Sequence, residues 1–389
     1  MAKKKTNSVF KNGVICVFAL IVGFVVGFAG WGVYTLPNDS DKFISGDLKI
    51  HFLELGNGFT GDCVYIQVGE VDIIVDGGSR TNSSTTIYNY IQPLMNDDKI
   101  EFAIVTHADQ DHIAGFAGDG SNQSLFEMFE FETIIDFPLS ESTSATYQRY
   151  QDKRQAEVDA GAVHYTALQC FQNKDGAQSI YELAEGINLE ILYNYYYEND
   201  ASNENDYSVI FQITQWDSKF LFTGDLEENG EEKFVEYYGS QLTQVELYKA
   251  GHHGSKTRSN SVLLEKIQPK IVVATCSAGS VEYAGKDETP QLTLGSNAYK
   301  EFMSTTFPTQ RFIDRVAEYT QEVYVTTECI VEYNTADGKY KDEGFKSMNG
   351  NIVVTSNKNG VEVEGSNNTT KLKDTEWFAN NRKMPTEWA

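Results

Sequence analysis

The stretch Ile104-Val105-Thr106-His107-Ala108-Asp109-Gln110-Asp111-His112 decides how this chain is read. Its apolar lead-in, residues 102–105, predicts a buried strand. The strand runs straight into four potential metal ligands: His107, Asp109, Asp111 and His112. Alternate spacing lets His107 and Asp109 point the same way off a tight loop. Asp111 and His112 then turn toward a second position nearby. Imidazole and carboxylate together suit zinc, manganese or iron. Two such ions about 3.5–4 Å apart activate water and clamp a phosphoryl or carbonyl oxygen. The plain alternative is a polar loop whose histidines cap a helix.

Three further segments repeat the pattern of a strand closing on ligand-type residues. They are Val71-Asp72-Ile73-Ile74-Val75-Asp76-Gly77-Gly78, Lys219-Phe220-Leu221-Phe222-Thr223-Gly224-Asp225, and Val245-Glu246-Leu247-Tyr248-Lys249-Ala250-Gly251-His252-His253-Gly254-Ser255. Glycine in each lets the backbone turn sharply beside a site. Alone, Asp-Gly-Gly is an ordinary turn. In this company, Asp76 is a carboxylate placed to orient a metal ligand from behind. Four strand ends in succession, each bearing carboxylate or imidazole, outweigh the plain loop.

Together these motifs resemble the metallo-β-lactamase fold superfamily, and within it the branch similar to the hydrolase domain of ComEC-type competence proteins. That superfamily's first signature is His-x-His-x-Asp-His. Here it reads His107-Ala108-Asp109-Gln110-Asp111-His112, with Asp at the third place as in that branch. Leu221-Phe222-Thr223-Gly224-Asp225, Lys249-Ala250-Gly251-His252-His253-Gly254-Ser255-Lys256-Thr257, Gly61-Asp62-Cys63-Val64-Tyr65-Ile66 and Val75-Asp76-Gly77-Gly78 match the branch's other motifs. The resemblance covers residues 47–365. It implies a metal-dependent hydrolase with two divalent transition metal ions, zinc or manganese.

Carried over residue by residue, the resemblance implies that His107 and Asp109 hold the first ion and that Asp111 and His112 hold the second. Asp225 bridges them, and Asp111 and Asp225 are the catalytic carboxylates. One of His252 and His253, with His253 slightly favoured, completes the second site. The other contacts a substrate phosphate, alongside Asn205, Ser255 and Lys256. The remaining ligand of the first site is open between two residues. One is His164, the only histidine between the first loop and Asp225. The other is Asn205, in a segment that resembles the branch's Asn-rich stretch. Glu288-Thr289-Pro290 departs from the branch, which has a histidine before the proline.

The resemblance implies a phosphodiester substrate, either nucleic acid or an envelope phosphodiester such as phosphocholine, since exported phosphorylcholine esterases share the His-x-Asp-x-Asp-His arrangement. Lactone or other ester hydrolysis is an alternative, as is a non-catalytic binding module in DNA uptake or envelope assembly. The net charge of -25 argues against tight nucleic-acid binding, which relies on Lys and Arg neutralising phosphates. Lys249, Lys256 and Arg258 flank the His-His loop, where they form either a local positive patch or a solvated loop.

The N-terminus reads as a separate unit. Lys3, Lys4, Lys5 and Lys11 precede an uncharged run over 12–38, with Trp31 and Tyr34 at its far end. Its length suits one helix across a bilayer about 30 Å thick. The lysines place the N-terminus in the cytoplasm and the remainder outside. A cleaved signal peptide ending near Phe28-Ala29-Gly30 is the competing reading. The expected organisation is a basic segment 1–11, a transmembrane anchor 12–35, a linker 36–46, a hydrolase domain 47–365 and a tail 366–389, the tail either docked or free. No cysteine pair has zinc spacing, and a Cys63–Cys276 or Cys170–Cys329 bridge stays open.

Periodicity predicts strands near 47–54, 62–68, 71–76, 102–105, 133–136, 188–193, 208–214, 219–223, 245–249 and 271–276. Late strands follow near 321–325, 329–333, 351–355 and 360–364. Helices are expected near 84–95, 113–118, 144–160, 227–238, 259–266 and 295–304. The alternation predicts an α/β fold, a four-layer αββα sandwich with the site at one edge, preceded by the one transmembrane helix. The run Tyr193-Asn194-Tyr195-Tyr196-Tyr197 is expected as a strand, or else as an aromatic pocket wall.

Overall fold

A computed structural model describes residues 47–280, 306–334 and 339–389. The expected anchor 12–35, the linker 36–46, Glu288-Thr289-Pro290 and the helix near 295–304 lie outside the described residues. Among the described residues, no helix is long and apolar enough to cross a membrane.

The strands, in chain order, are β1 Leu48–Phe52, β2 Val64–Val68, β3 Val71–Val75, β4 Lys99–Val105, β5 Glu130–Asp136, β6 Val163–Thr166, β7 Ile180–Ala184, β8 Ile187–Leu192, β9 Ile210–Gln215, β10 Ser218–Phe222, β11 Leu247–Lys249, β12 Ile271–Ala278, β13 Glu322–Asn334, β14 Lys339–Ser347, β15 Ile352–Asn357 and β16 Gly360–Gly365. They form two eight-stranded sheets, ordered β16-β15-β1-β2-β3-β4-β5-β6 and β14-β13-β12-β11-β10-β9-β8-β7. The helices are α1 Ser83–Ile91, α2 Gln110–Ala117, α3 Leu125–Met128, α4 Ala145–Ala160, α5 Ala167–Gln172, α6 Glu228–Tyr238, α7 Ser261–Ile267, α8 Gln310–Ala317 and α9 Glu376–Asn381.

Side-chain alternation explains why the second sheet is covered on both faces. Phe220 and Phe222 of β10 enter one core, which also holds Phe52, Ile73 and Ile104 of the first sheet. Leu221, between them, enters a second core with Phe234, Leu263, Leu264 and Phe312 of α6, α7 and α8. β12 divides the same way, Val273 to the first core and Val272 and Ala274 to the second. The sheets meet where the Phe52 and Phe222 rings stack at 6.3 Å, with Phe211 stacked on Phe222 at 4.5 Å. Two large sheets packed this way are consistent with the sandwich implied by the resemblance.

Strands β3 to β6 run parallel in one sheet, and β10 to β13 run parallel in the other. The ligand-bearing loops therefore follow the carboxyl ends of β3, β4, β10 and β11. Binding residues of open α/β sheets collect at such ends.

Several expectations need correction. Residues 195–197 form a single 3-10 turn rather than a strand, because Asn194 caps it by accepting from the Tyr196 N–H. The two late strands near 321–333 are one strand, β13. Strands β6 and β7 and helix α5, between α4 and β8, had no expected counterpart. The tail is docked: Leu372, Trp377, Phe378 and Trp388 join the second core, and the Trp388 indole donates to the Thr320 carbonyl at 2.8 Å. Cys63, Cys170, Cys276 and Cys329 form no disulfide, so neither bridge forms.

Candidate metal centre

The site is built from backbone outward. Asp76, His252 and His253 all have positive φ, at 58°, 43° and 54°. Such conformations are strained for residues with a Cβ and concentrate at functional sites. Gly224 also sits at φ 55°, and a Cβ there would meet Ser208 Oγ at 2.7 Å. The Ser208 hydroxyl accepts from the Asp225 N–H at 3.0 Å, fixing Asp225 as it leaves the turn.

His112 and His253 are oriented from behind. Asp76 accepts from the Thr106 N–H and the Thr106 hydroxyl, both at 2.8 Å, and lies 2.7 Å from His112 Nδ1. His253 Nδ1 lies 3.0 Å from the Thr275 carbonyl and 3.1 Å from Asp62 Oδ1. Their strongest partners are acceptors, so both Nδ1 atoms carry protons. In its neutral, metal-binding form each ring would aim its Nε2 lone pair forward. His112 Nε2 faces Asp225 Oδ2 at 3.1 Å, and His253 Nε2 faces Asp225 Oδ2 and Asp111 Oδ2, each at 3.3 Å.

A lone pair facing a carboxylate oxygen repels it unless positive charge stands between them. Metal bonds of about 2.0–2.2 Å, set at right or tetrahedral angles, would separate neighbouring ligand atoms by about 3.0–3.4 Å. The observed 3.1–3.3 Å separations match. Asp111, His112, His253 and Asp225 thus fit one divalent ion. Burial alone would lower the ring pKa values of His112 and His253, yet Asp225 with Asp76 and with Asp62, respectively, pushes both well above the usual range. Burial would likewise raise Asp225, but His112, His253 and His252 hold it well below the carboxylate range. The pocket's carboxylates demand positive charge.

A second position is less closed. His107 is fully buried, its Nε2 has no hydrogen-bond partner, and it stands 3.7 Å from Asp109 Oδ2. Asp225 Oδ1 is also buried without a hydrogen-bond partner. Asn205 lies in the turn Glu204–Tyr207, directly before Ser208 and Val209, which bond Asp225 and Thr106. Its Nδ2 donates to Glu227, and its buried Oδ1 has no hydrogen-bond partner. His164 is drawn elsewhere: its Nε2 bonds Asp136 Oδ1 at 2.7 Å, in a group with Tyr150 and Arg154. His252 stands 3.8 Å from Asp225 Oδ2, farther than His253, with its ring against Phe307. Asp109 and Asp111 are the open side of the centre, with side chains 45% and 33% exposed. Ser255 is buried in the turn behind His253, while Lys256 is half-buried.

Neither a positive patch nor a solvated loop describes Lys249 and Arg258. Lys249 and Arg258 are buried and paired with Asp62 and Glu227, so of the three cations Lys256 alone is left toward solvent. Asp62 had no expected role, though buried carboxyl, imidazole and ammonium groups meet on it. It lies within reach of His112, Asp225 and His253. Its oxygens face Lys249, Thr275 and the back of His253, the geometry of a group behind the candidate ligands. The sequence signal was a charge between Gly61 and Cys63, immediately before an apolar strand.

No family model matches the chain. The chain is 34% identical over 91 residues to the competence protein ComA of Neisseria gonorrhoeae, covering 23% of this chain and 13% of that protein. It is 22% identical over 247 residues to ComE operon protein 3 of Bacillus subtilis, covering 59% of this chain and 28% of that protein. The chain therefore spans less than a third of the length of these curated relatives. In structure it is similar to the metallo-β-lactamase fold protein YhfI of Bacillus subtilis, with 12% identity, a TM-score of 0.40, and coverage of 72% of this chain and 95% of that one. The resemblance carried by the motifs is borne out by the matched relatives, which are competence proteins.

Proposed function

We propose that this chain is a hydrolase of phosphodiesters that uses two divalent transition metal ions, zinc or manganese. The observation that carries this reading is the convergence of His112 Nε2, His253 Nε2, Asp111 Oδ2 and Asp225 Oδ2 at ligand-to-ligand spacing. The unpartnered His107 Nε2 and Asp225 Oδ1, with Asp109 nearby, support a second ion. When bound, such ions supply an activated water and neutralise charge on phosphoryl oxygens. Asp225 would hold both ions, since Oδ2 faces His112 and His253 and Oδ1 has no hydrogen-bond partner. Asp76 and Asp62 fix which imidazole nitrogen faces forward. His252, beside Asp225 and 9% exposed, is the side chain set to meet a substrate oxygen.

Small diesters are favoured over polymeric nucleic acid. The net charge is -25, and the burial of Lys249 and Arg258 removes two of the cations that would offset it near the site. The test compares bis-p-nitrophenyl phosphate, p-nitrophenylphosphorylcholine and single-stranded DNA. Cleavage of one or both small diesters should survive 0.2 M salt, with DNA cleaved more slowly. Hydrolysis of lactones alone, with no diester cleaved, contradicts the reading.

We further infer that residues 12–35 anchor the chain with its N-terminus in the cytoplasm and its catalytic part outside. The flanking lysines and the uncharged run support this. Protease added to cells stripped of any outer barrier should release the catalytic part. Complete protection contradicts the orientation.

A further inference from the structure

Lys249 ends β11 and is 3% exposed. Its ammonium pairs with Asp62 and stands 3.8 Å from Asp225 Oδ1, the oxygen without a hydrogen-bond partner. Burying an ammonium is costly unless opposite charge surrounds it, and here two carboxylates do. Asp62 Oδ1 accepts from Thr275 and faces His253 Nδ1, so Asp62 Oδ2 and Asp225 Oδ1 are carboxylate oxygens without a hydrogen-bond partner, and Lys249 faces both. The centre holds Asp62, Asp76, Asp111 and Asp225 close together around the imidazoles. Lys249 is a fixed positive charge that reaches into that group from the end of the strand leading into His252 and His253.

We propose that Lys249 is a stand-in cation, which keeps the Asp62 and Asp225 side of the centre in place before metal arrives. This rests on the metal-binding reading above. In the metal-free chain Lys249 neutralises Asp225 and so preserves the geometry that the ligands need. In the loaded chain the ions take over that charge, and the ammonium becomes dispensable or mildly repulsive. An ordinary buried ion pair would stabilise both states alike. The stand-in role gives a stabilisation that is large without metal and small with it.

The experiment is thermal melting of the wild type, Lys249→Met and Lys249→Arg, each in chelator and in excess manganese or zinc chloride. In chelator, Lys249→Met should melt on the order of 5 °C below the wild type. With metal the gap should close to about 1 °C, so the metal-induced rise is larger in the variant. Lys249→Arg should restore most of the chelator melting point. If Lys249→Met is recovered only with metal present and unfolds when stripped, while the wild type survives stripping, the proposal also holds. Equal losses with and without metal overturn it, as does no loss in chelator or failure to fold even with metal. Elemental analysis of the wild type is read separately: if it binds no ion, the metal-binding reading fails and this inference falls with it.

Discussion

Two aspartate–histidine clusters stand at the carboxyl ends of adjacent paired strands, β4 and β5, where Val105 lies opposite Asp136. Around Asp136, every charge has an answer. Its oxygens take the Tyr150 hydroxyl at 2.9 Å, His164 Nε2 at 2.7 Å and the Arg154 guanidinium. Around Asp225, donors run short. Imidazole nitrogens crowd its carboxylate, and His107 Nε2, His253 Nε2 and Asp225 Oδ1 have no hydrogen-bond partner. Buried polar groups are nearly always satisfied, so a group of unanswered ones marks a place built for something else. Residue types alone do not separate the two clusters; the balance of donors and acceptors does.

The sharpest way to break this contrast is Asp225→Asn. It should lower hydrolysis more than about 100-fold, since even partners behind a ligand cost 10–100-fold. Occupancy at both metal positions should fall, and retained activity with full occupancy would remove the bridging role. Asp76→Asn comes next, at about 10–100-fold in metal affinity or activity, because the amide cannot both accept from Thr106 and receive the His112 Nδ1 proton. Metal titration of the variant checks it, and unchanged affinity would contradict the orienting role.

The other cluster should respond through stability alone. Asp136→Asn should destabilise by about 2 kcal/mol at neutral pH and leave metal content unchanged. Burial would raise the Asp136 carboxyl, but His164 and Arg154 hold it below its ordinary value of 3.8. A carboxylate with a lowered folded-state pKa contributes stability above the unfolded value and loses it as pH falls through the folded value. The gap between wild type and variant in denaturant melts should therefore shrink below pH 3.8. A gap that widens in acid would reverse the assignment. The smallest effect belongs to His164→Gln, which should cost about 1 kcal/mol or less and leave metal stoichiometry and turnover intact. Loss of one ion from that variant would return His164 to the centre.

The sequence revealed the strand ends because each ligand group is contiguous with an apolar run. His107 to His112 follows β4, Asp225 follows β10, and His252 and His253 follow β11. It concealed β6 and β7, whose side chains are mostly half-buried or exposed and lack a clean alternation. It divided β13 in two at Thr326-Thr327-Glu328, a polar interruption that the sheet tolerates in a single strand. Lys249 and Arg258 read as surface cations because their partners, Asp62 and Glu227, lie elsewhere in the chain, and burial by ion pairing leaves no local pattern. The choice between Asp136 and the metal centre as partner for His164 likewise depended on strand order, with β6 beside β5 at the sheet's edge.

The central claim is that the unanswered cluster holds metal and the answered one does not. Elemental analysis of the purified wild type, Asp225→Asn and His164→Gln tests this directly. The wild type and His164→Gln should each carry about two transition metal ions per chain, and Asp225→Asn clearly fewer. A wild type without bound transition metal, or an Asp225→Asn variant that keeps both ions, would contradict it.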